Sequence, residues 1–216
     1  MAAYAVLLAN LLYNKKLLNY IFKIQQPFCK HYYCFINFKR EINMKYTIES
    51  ERLKFRPWEK SDAPTLFNGW ANNEEITKYL TWNPHKDIET TNYIIDKRIK
   101  EYEEKDRINF AIVLKENNKL IGSIDVVGYI NNNPEIGYML KKEYWNKGYM
   151  SEACLRVIKF LFSLGFKKIY IRAQVENIAS NRVIQKCGGK FIECKEVERP
   201  LKHDKVMLNS YEITEI

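Results

Sequence analysis

The stretch from Glu135 to Ala153 constrains this chain more than any other. Glu135–Leu140 is strand-like, a short basic turn follows, and an apolar helix begins near Glu152. The turn places Gly148 and a row of backbone N–H groups at a helix N-terminus, an arrangement that favours a diphosphate. Glycine lacks a Cβ that would hold an anion away from the backbone. Asn146 and Lys147 add side-chain donors and a positive charge. About thirty residues on, a second strand ends at Asn177 and a helix begins that carries Ser180, Asn181 and Lys186 and stops at Gly188. Asn177 suits an Asx-type helix cap, and Ser180 a first-turn position.

Around these segments the pattern alternates between strand and helix. Leu53–Arg56 reads as a short strand. Ser61 reads as the N-cap of a helix with Pro64 in its first turn. Asn73–Leu80 forms a helical turn. A longer helix runs from Asp87 or Thr90 to about Lys105, with Ile88, Ile95, Ile99 and Tyr102 at helical spacing. Phe110–Leu114 and Leu120–Val127 flank Glu116–Asn118 as a hairpin, and residues 131–133, three asparagines, turn into the strand Glu135–Leu140. Glu152–Leu164 is an apolar helix stopped by Gly165. Lys168–Val175 is a buried strand, Ala179–Cys187 a helix, and strands near Phe191–Val197 and Val206–Thr214 complete the chain. The order β-α-α-β-β-β-α-β-α-β-β implies a mixed sheet with helices packed on its faces.

At 216 residues the chain holds one domain, or one domain and an appendage. Residues 1–43 stand apart. They contain no Gly and one Pro, and six Lys or Arg against one acid, Glu41. They therefore carry +5 of the net +9, and the remaining body is only mildly basic. That removes most of the case for nucleic-acid binding. The boundary is read as an N-terminal extension, 1–43, foreign to the natural protein or appended to it, and a domain at 44–216 that starts at Met44. Ala2–Tyr13 with Lys15 and Lys16 leaves an interfacial anchor open as the alternative, being too short for a comfortable span. Five Cys without paired spacing suggest reduced thiols in the cytoplasm, and three His without neighbouring ligands argue against a metal.

The two segments together resemble the acyl-CoA site of the GNAT acetyltransferases. Over Met44–Ile216 the likeness is closest to the Rim-type ribosomal-protein N-terminal acetyltransferases. It is carried by Glu51–Trp58, Ser61–Ala63, Thr81–His85, Leu120–Ser123, Glu135–Tyr138, Trp145–Tyr149 and Glu152–Ala153. The resemblance implies a mixed, mostly antiparallel sheet with helices on both faces and central strands splayed to bind acetyl-CoA. It assigns cofactor contacts to Tyr138, Met139, Leu140, Trp145, Asn146, Lys147, Gly148, Tyr149, Met150 and Ser151. On the second segment it assigns them to Asn177, Ser180, Asn181 and Lys186. Met150, where the wider family has Gly or Ala, and Gly189, where it has an aromatic, depart from the pattern; Phe191 is placed to fill the second space.

The implied activity is transfer of acetyl from acetyl-CoA to a primary amine, a protein N-terminal α-amine in the Rim branch, by direct attack in a ternary complex. Ser180 is the candidate partner of the departing thiolate. Strand N–H groups near Met139 and Leu140 are candidates to polarise the thioester. Glu135, Glu196 and Glu198 are the candidate bases, each with a solvated strand carboxylate as its plain alternative. Trp82, His85 and Tyr211 are candidates for the acceptor side. Other readings stay open: an antibiotic or polyamine acetyltransferase, a non-catalytic acyl-CoA-binding module, or a basic RNA-associated protein. The implied setting is a cytoplasmic monomer or homodimer, with no metal, direct nucleic acid or membrane partner for 44–216.

Overall fold

The computed structural model describes residues 48–105 and 107–214. The extension expected at 1–43 lies outside them. Among the described residues, eight strands form one sheet: β1 Ile48–Glu49, β2 Leu53–Arg56, β3 Asn109–Leu114, β4 Leu120–Ile130, β5 Asn133–Leu140, β6 Lys168–Gln174, β7 Lys190–Arg199 and β8 Asp204–Thr214. Their order is β1-β2-β3-β4-β5-β6-β8-β7, antiparallel throughout except at β5–β6, which is parallel. The helices are α1 Ala63–Leu66, α2 Glu74–Thr77, α3 Ile88–Lys105, α4 Tyr149–Ser163 and α5 Ile178–Lys186. A π-helical turn at Phe67–Ala71 follows α1. Among the described residues no helix is long and apolar enough to cross a membrane.

Strand alternation divides the sheet between two cores. Phe110, Ile112 and Leu114 of β3 join the core that α4 and α5 cover, with Val157, Leu161 and Ile184. Ala111 and Val113, pointing the other way, join Trp58, Trp70 and Ile95 under α1–α3. Helices thus pack on both faces, as the element order implies. The α4 helix presents Ala153, Cys154, Val157, Ile158 and Leu161 on one side, all buried, which is the spacing of a single helical face. Gly165, at φ +93°, ends it.

The turns follow the sequence signals closely. Asn131 and Asn132 both hold positive φ, 49° and 62°, between β4 and β5, as a two-residue hairpin turn requires. Ser61 is a correction. It lies inside a 3-10 turn at Lys60–Asp62, where its hydroxyl reaches only the Glu59 carboxylate at 3.5 Å. Glu59 is the N-cap of that turn and Asp62 its capping-box partner: Asp62 Oδ2 accepts from the Glu59 N–H at 2.9 Å, and Arg56 holds the same carboxylate at 2.7 Å from two nitrogens. An acid that accepts both backbone and guanidinium donors outcompetes a neighbouring hydroxyl.

Asn181 joins the sheet to α5. Its Nδ2 donates to the Gln174 and Asn177 carbonyls, each at 2.8 Å. Its Oδ1 accepts from Asn209 at 3.0 Å and from the Tyr211 hydroxyl at 2.8 Å. All four capacities of this buried amide are used. Asn181→Ala should therefore strand the buried Tyr211 hydroxyl and the Gln174 carbonyl, and destabilise the fold by on the order of 2–4 kcal/mol. Urea unfolding of the variant would measure it; a loss under ~1 kcal/mol would show that water or repacking replaces the network.

Candidate active site

A parallel pair of strands that parts creates the site. β5 and β6 share one register pair, Glu135 opposite Tyr170. Past it β5 continues along β4 to Leu140, and β6 continues along β8 to Gln174. Each strand keeps its outer neighbour and leaves the other. The gap opens into a cleft of about 590 Å³. Its floor is Tyr138, Met139 and Leu140, one lip is residues 144–151, the other is α5, and Ile76, Tyr79 and Leu80 close a side.

The lip at 144–151 is set by backbone geometry. Trp145 donates its indole N–H to the Leu140 carbonyl at 2.8 Å, which pins the turn to the end of β5. Asn146 and Gly148 both take left-handed φ, 60° and 80°. Gly148 is the N-cap of α4 and offers no side chain to its first turn, so the first backbone bond is Glu152 N–H to the Gly148 carbonyl at 3.0 Å. The N–H groups of residues 149–151 have no partner within the helix. A Cβ on Gly148 would meet only Arg52 Nη2, at 3.5 Å, so conformational strain and not a clash reserves the position for glycine.

A remote strap holds this lip. The Glu152 carboxylate accepts from the Ser50 hydroxyl at 2.7 Å, the Arg52 N–H at 2.8 Å and Arg52 Nε at 2.7 Å. The Arg52 guanidinium also reaches the Lys147 carbonyl at 3.2 Å and lies 4.2 Å from the Tyr149 ring centre. Burial pushes the Glu152 carboxyl up, but the Arg52 N–H, the Ser50 hydroxyl and the Arg52 charge outweigh it and hold it below the usual carboxylate value.

The opposite lip is α5. Asn177 caps it, accepting the Ser180 N–H on Oδ1 at 3.1 Å, and lines the cleft as well. The Tyr138 hydroxyl lies 2.8 Å from Ser180 Oγ and 3.3 Å from the Ser180 carbonyl. Burial drives the Tyr138 phenol well above its usual value, so it keeps its proton. Arg182 and Lys186 add positive charge to this lip, and Glu75 is the only acidic group among the lining residues. Lys142 pairs with Glu75 at 2.6 Å. Behind that side, Arg199 donates to the Lys78 and Leu80 carbonyls at 2.8 and 3.2 Å, and Lys202 to Thr77 at 2.8 Å, so the β7–β8 hairpin holds the end of α2.

Most of the expected cofactor residues therefore meet: Tyr138, Met139, Leu140, Trp145, Asn146, Gly148, Tyr149, Met150, Ser151, Asn177, Ser180 and Lys186 all line one cleft. Lys147 and Asn181 do not. The Lys147 ammonium lies 5.6 Å from the Tyr144 ring centre, and Asn181 spends its amide inside the fold. The three glutamates also lie off the lining. Arg172 holds both oxygens of Glu135, at 2.7 and 2.9 Å; Glu196 pairs with Lys205 at 3.1 Å; Glu198 is exposed on the outer strand β7. Tyr211 is buried, its hydroxyl on Asn181. Trp82 packs in the same core as Met139, behind the floor. The His85 ring sits 5.0 Å from that of Trp82, with Nδ1 at 2.7 Å from Thr91 Oγ1, and burial followed by the Arg98 charge pulls it below the usual imidazole value. Sequence reasoning missed Glu75, Tyr79, Arg182 and the Ser50–Arg52 strap.

The family profile described as "Acetyltransferase (GNAT) domain" matches residues 52–190. The uncharacterized N-acetyltransferase p20 of Bacillus licheniformis is 32% identical over 142 residues, which is 64% of this chain and 79% of that protein. The crystal structure of a GNAT-family acetyltransferase from Bacillus anthracis aligns with a TM-score of 0.69 and 27% identity, over 78% of this chain and 98% of that one. RimL, a ribosomal L7/L12 α-N-protein acetyltransferase solved with coenzyme A, also reaches 0.69, at 22% identity, over 78% and 98% of the two chains; that likeness is one of fold.

Because its folded pKa is depressed, Glu152 contributes stability above the unfolded value of ~4.3 and loses it as pH falls through the folded value. Glu152→Gln should therefore lower the melting temperature at pH 7 and flatten its decline below about pH 4.3. Parallel acid melting curves for the two proteins would show that the strap carries no net stability.

Proposed function

The chain belongs to the GNAT acetyltransferase family, and we propose that it transfers acetyl from acetyl-CoA to a primary amine by direct attack in a ternary complex. The observation that carries this reading is the continuity of one cleft from the parted strands to the Gly148 turn. Its donors suit the parts of the cosubstrate. Unpartnered N–H groups of residues 149–151 face an anion-holding turn, with Arg182 and Lys186 across the cleft. The inner edge of β5 at Tyr138–Leu140, released from β6, offers backbone groups to an amide-bearing arm and to a thioester carbonyl. Acetyl-CoA supplies an activated acyl group, and Ser180, which lines the cleft, would hydrogen-bond its sulfur as the thiolate departs.

An α-amine is the acceptor class that this site serves best. It titrates near ~8 against ~10.4 for a lysine, so a larger share is already neutral at pH 7. The described cleft supports that preference, since its lining holds a single carboxylate and Lys142 neutralises it. A strongly basic polyamine would find little negative charge there. Of the three candidate bases, Glu135 stands on a strand that borders the cleft, and water next to its ion pair with Arg172 is the path that could take up the ammonium proton. The working domain is read as 44–216.

Gly148→Asp tests the placement. It forces an L-residue into φ +80° and sets a negative charge at the turn. Calorimetry should find acetyl-CoA binding weakened by about tenfold or more, with circular dichroism unchanged. Wild-type affinity in a folded variant would overturn it.

A further inference from the structure

We infer that Tyr138 is a positioning residue for acetyl transfer, fixing the Ser180 hydroxyl so that its proton points into the cleft. The inference rests on the acetyltransferase reading of the cleft. Two atoms compete for the single proton of the Tyr138 hydroxyl: Ser180 Oγ at 2.8 Å and the Ser180 carbonyl at 3.3 Å. Either oxygen of the shorter contact can be its donor, and an acceptor in the cleft selects the arrangement in which Tyr138 donates to Oγ and the Ser180 proton turns to the ligand. When Tyr138 donates to Oγ, the Ser180 proton takes no part in that contact and must find its partner elsewhere. Both side chains line the cleft, so the partner is whatever occupies it. In the reverse arrangement Ser180 donates to the phenol oxygen, Tyr138 donates to the Ser180 carbonyl, and Ser180 has no proton left for a ligand.

Neighbouring contacts keep the pair in place. Asn177 Oδ1 takes the Ser180 N–H at 3.1 Å, and Asn181, one residue on, is tied to both β6 and β8. Tyr138 comes from the parted strand β5, and its ring packs against the α4–α5 core. The hydroxyl pair therefore bridges the cleft between strand and helix just where the strands separate.

The chemistry asks for orientation and not for a proton from tyrosine. The bond from acceptor nitrogen to acetyl carbon forms, the carbon–sulfur bond breaks, and its electron pair passes to sulfur. The ammonium proton leaves to solvent, and the thiolate ends as thiol with a proton from solvent. A thiol titrates near ~8.5, below the ordinary phenol at ~10, so proton transfer from Tyr138 to the thiolate runs uphill. Burial steepens that slope. Tyr138 keeps its proton, and Ser180 stabilises the developing negative charge with a hydrogen bond aimed in advance.

Steady-state kinetics with acetyl-CoA and an N-terminal peptide, on the full chain, test this. Tyr138→Phe keeps the ring and should lower kcat by about tenfold, the worth of one oriented hydrogen bond, with the KM for acetyl-CoA within about twofold. Ser180→Ala should lose more. The double variant should be no slower than Ser180→Ala alone, because Tyr138 acts through Ser180. Ser180→Thr keeps a hydroxyl and should retain the dependence on Tyr138. Wild-type kcat in Tyr138→Phe, or multiplicative losses in the double variant, would overturn the inference. A Ser180→Ala variant at full rate would instead overturn the role given to Ser180, and with it the part given to Tyr138. Tyr138→Phe melting at the wild-type temperature separates lost orientation from lost fold.

Discussion

The parting of β5 from β6 is the constraint on which the rest of the molecule depends. Two neighbouring strands in a sheet normally satisfy each other's backbone groups along their length. Here one register pair holds, and the partners then follow β4 and β8 instead. Past that pair the inner edges have no strand partner; Trp145 takes the Leu140 carbonyl and Asn181 the Gln174 carbonyl, and the rest of Tyr138–Leu140 borders the cleft. Polar backbone at the centre of a sheet is costly unless something pairs with it. The fold thus leaves room for a polar, extended ligand at one place, and under the proposed function the amide-bearing arm of acetyl-CoA is the ligand that would pair there.

Keeping the two lips apart needs its own structure. One lip is the Gly148 turn, where residues 146 and 148 take left-handed backbone and the Glu152 strap anchors it to residues 50–52. The other is the first turn of α5, which Asn177 caps and Asn181 ties to Gln174 at the end of β6 and to Tyr211 of β8. Both anchors are hydrogen-bond networks, one around the Glu152 carboxylate and one around the buried Asn181 amide. Such networks fix geometry more tightly than apolar packing alone. The Tyr138–Ser180 pair lies between the lips, where the rigidity of both is brought to one point.

Much of this was legible in the sequence, and the reasons are local. Strand alternation, the apolar face of α4, the asparagine turn at 131–133 and glycine at 148 each express a rule spanning a few residues. Asn177 and Ser180 were legible because a strand end and a helix start frame them. What stayed hidden depends on distant neighbours. The strap joins Ser50 and Arg52 to Glu152 across about a hundred residues, and no pattern near either end announces it. Ser61 was read as a cap because nothing in the sequence shows that Arg56 would orient Asp62 for the task. Asn181 and Tyr211 were read as ligand contacts, while the structure joins them to each other. A polar side chain and its partner cannot be matched until the sheet order is known. The glutamates show the same limit: alternation gave Glu135 a face, and only the sheet brought Arg172 beside it.

Amide hydrogen exchange, with and without acetyl-CoA, tests the central claim most directly. The account predicts slowed exchange at residues 138–140 and 149–151, the inner edge of β5 and the open first turn of α4. It predicts little change in β7, which lies at the outer edge of the sheet. Slowing confined to other parts of the chain, or none at saturating acetyl-CoA, would contradict the claim that the parted strands are where the acyl donor binds.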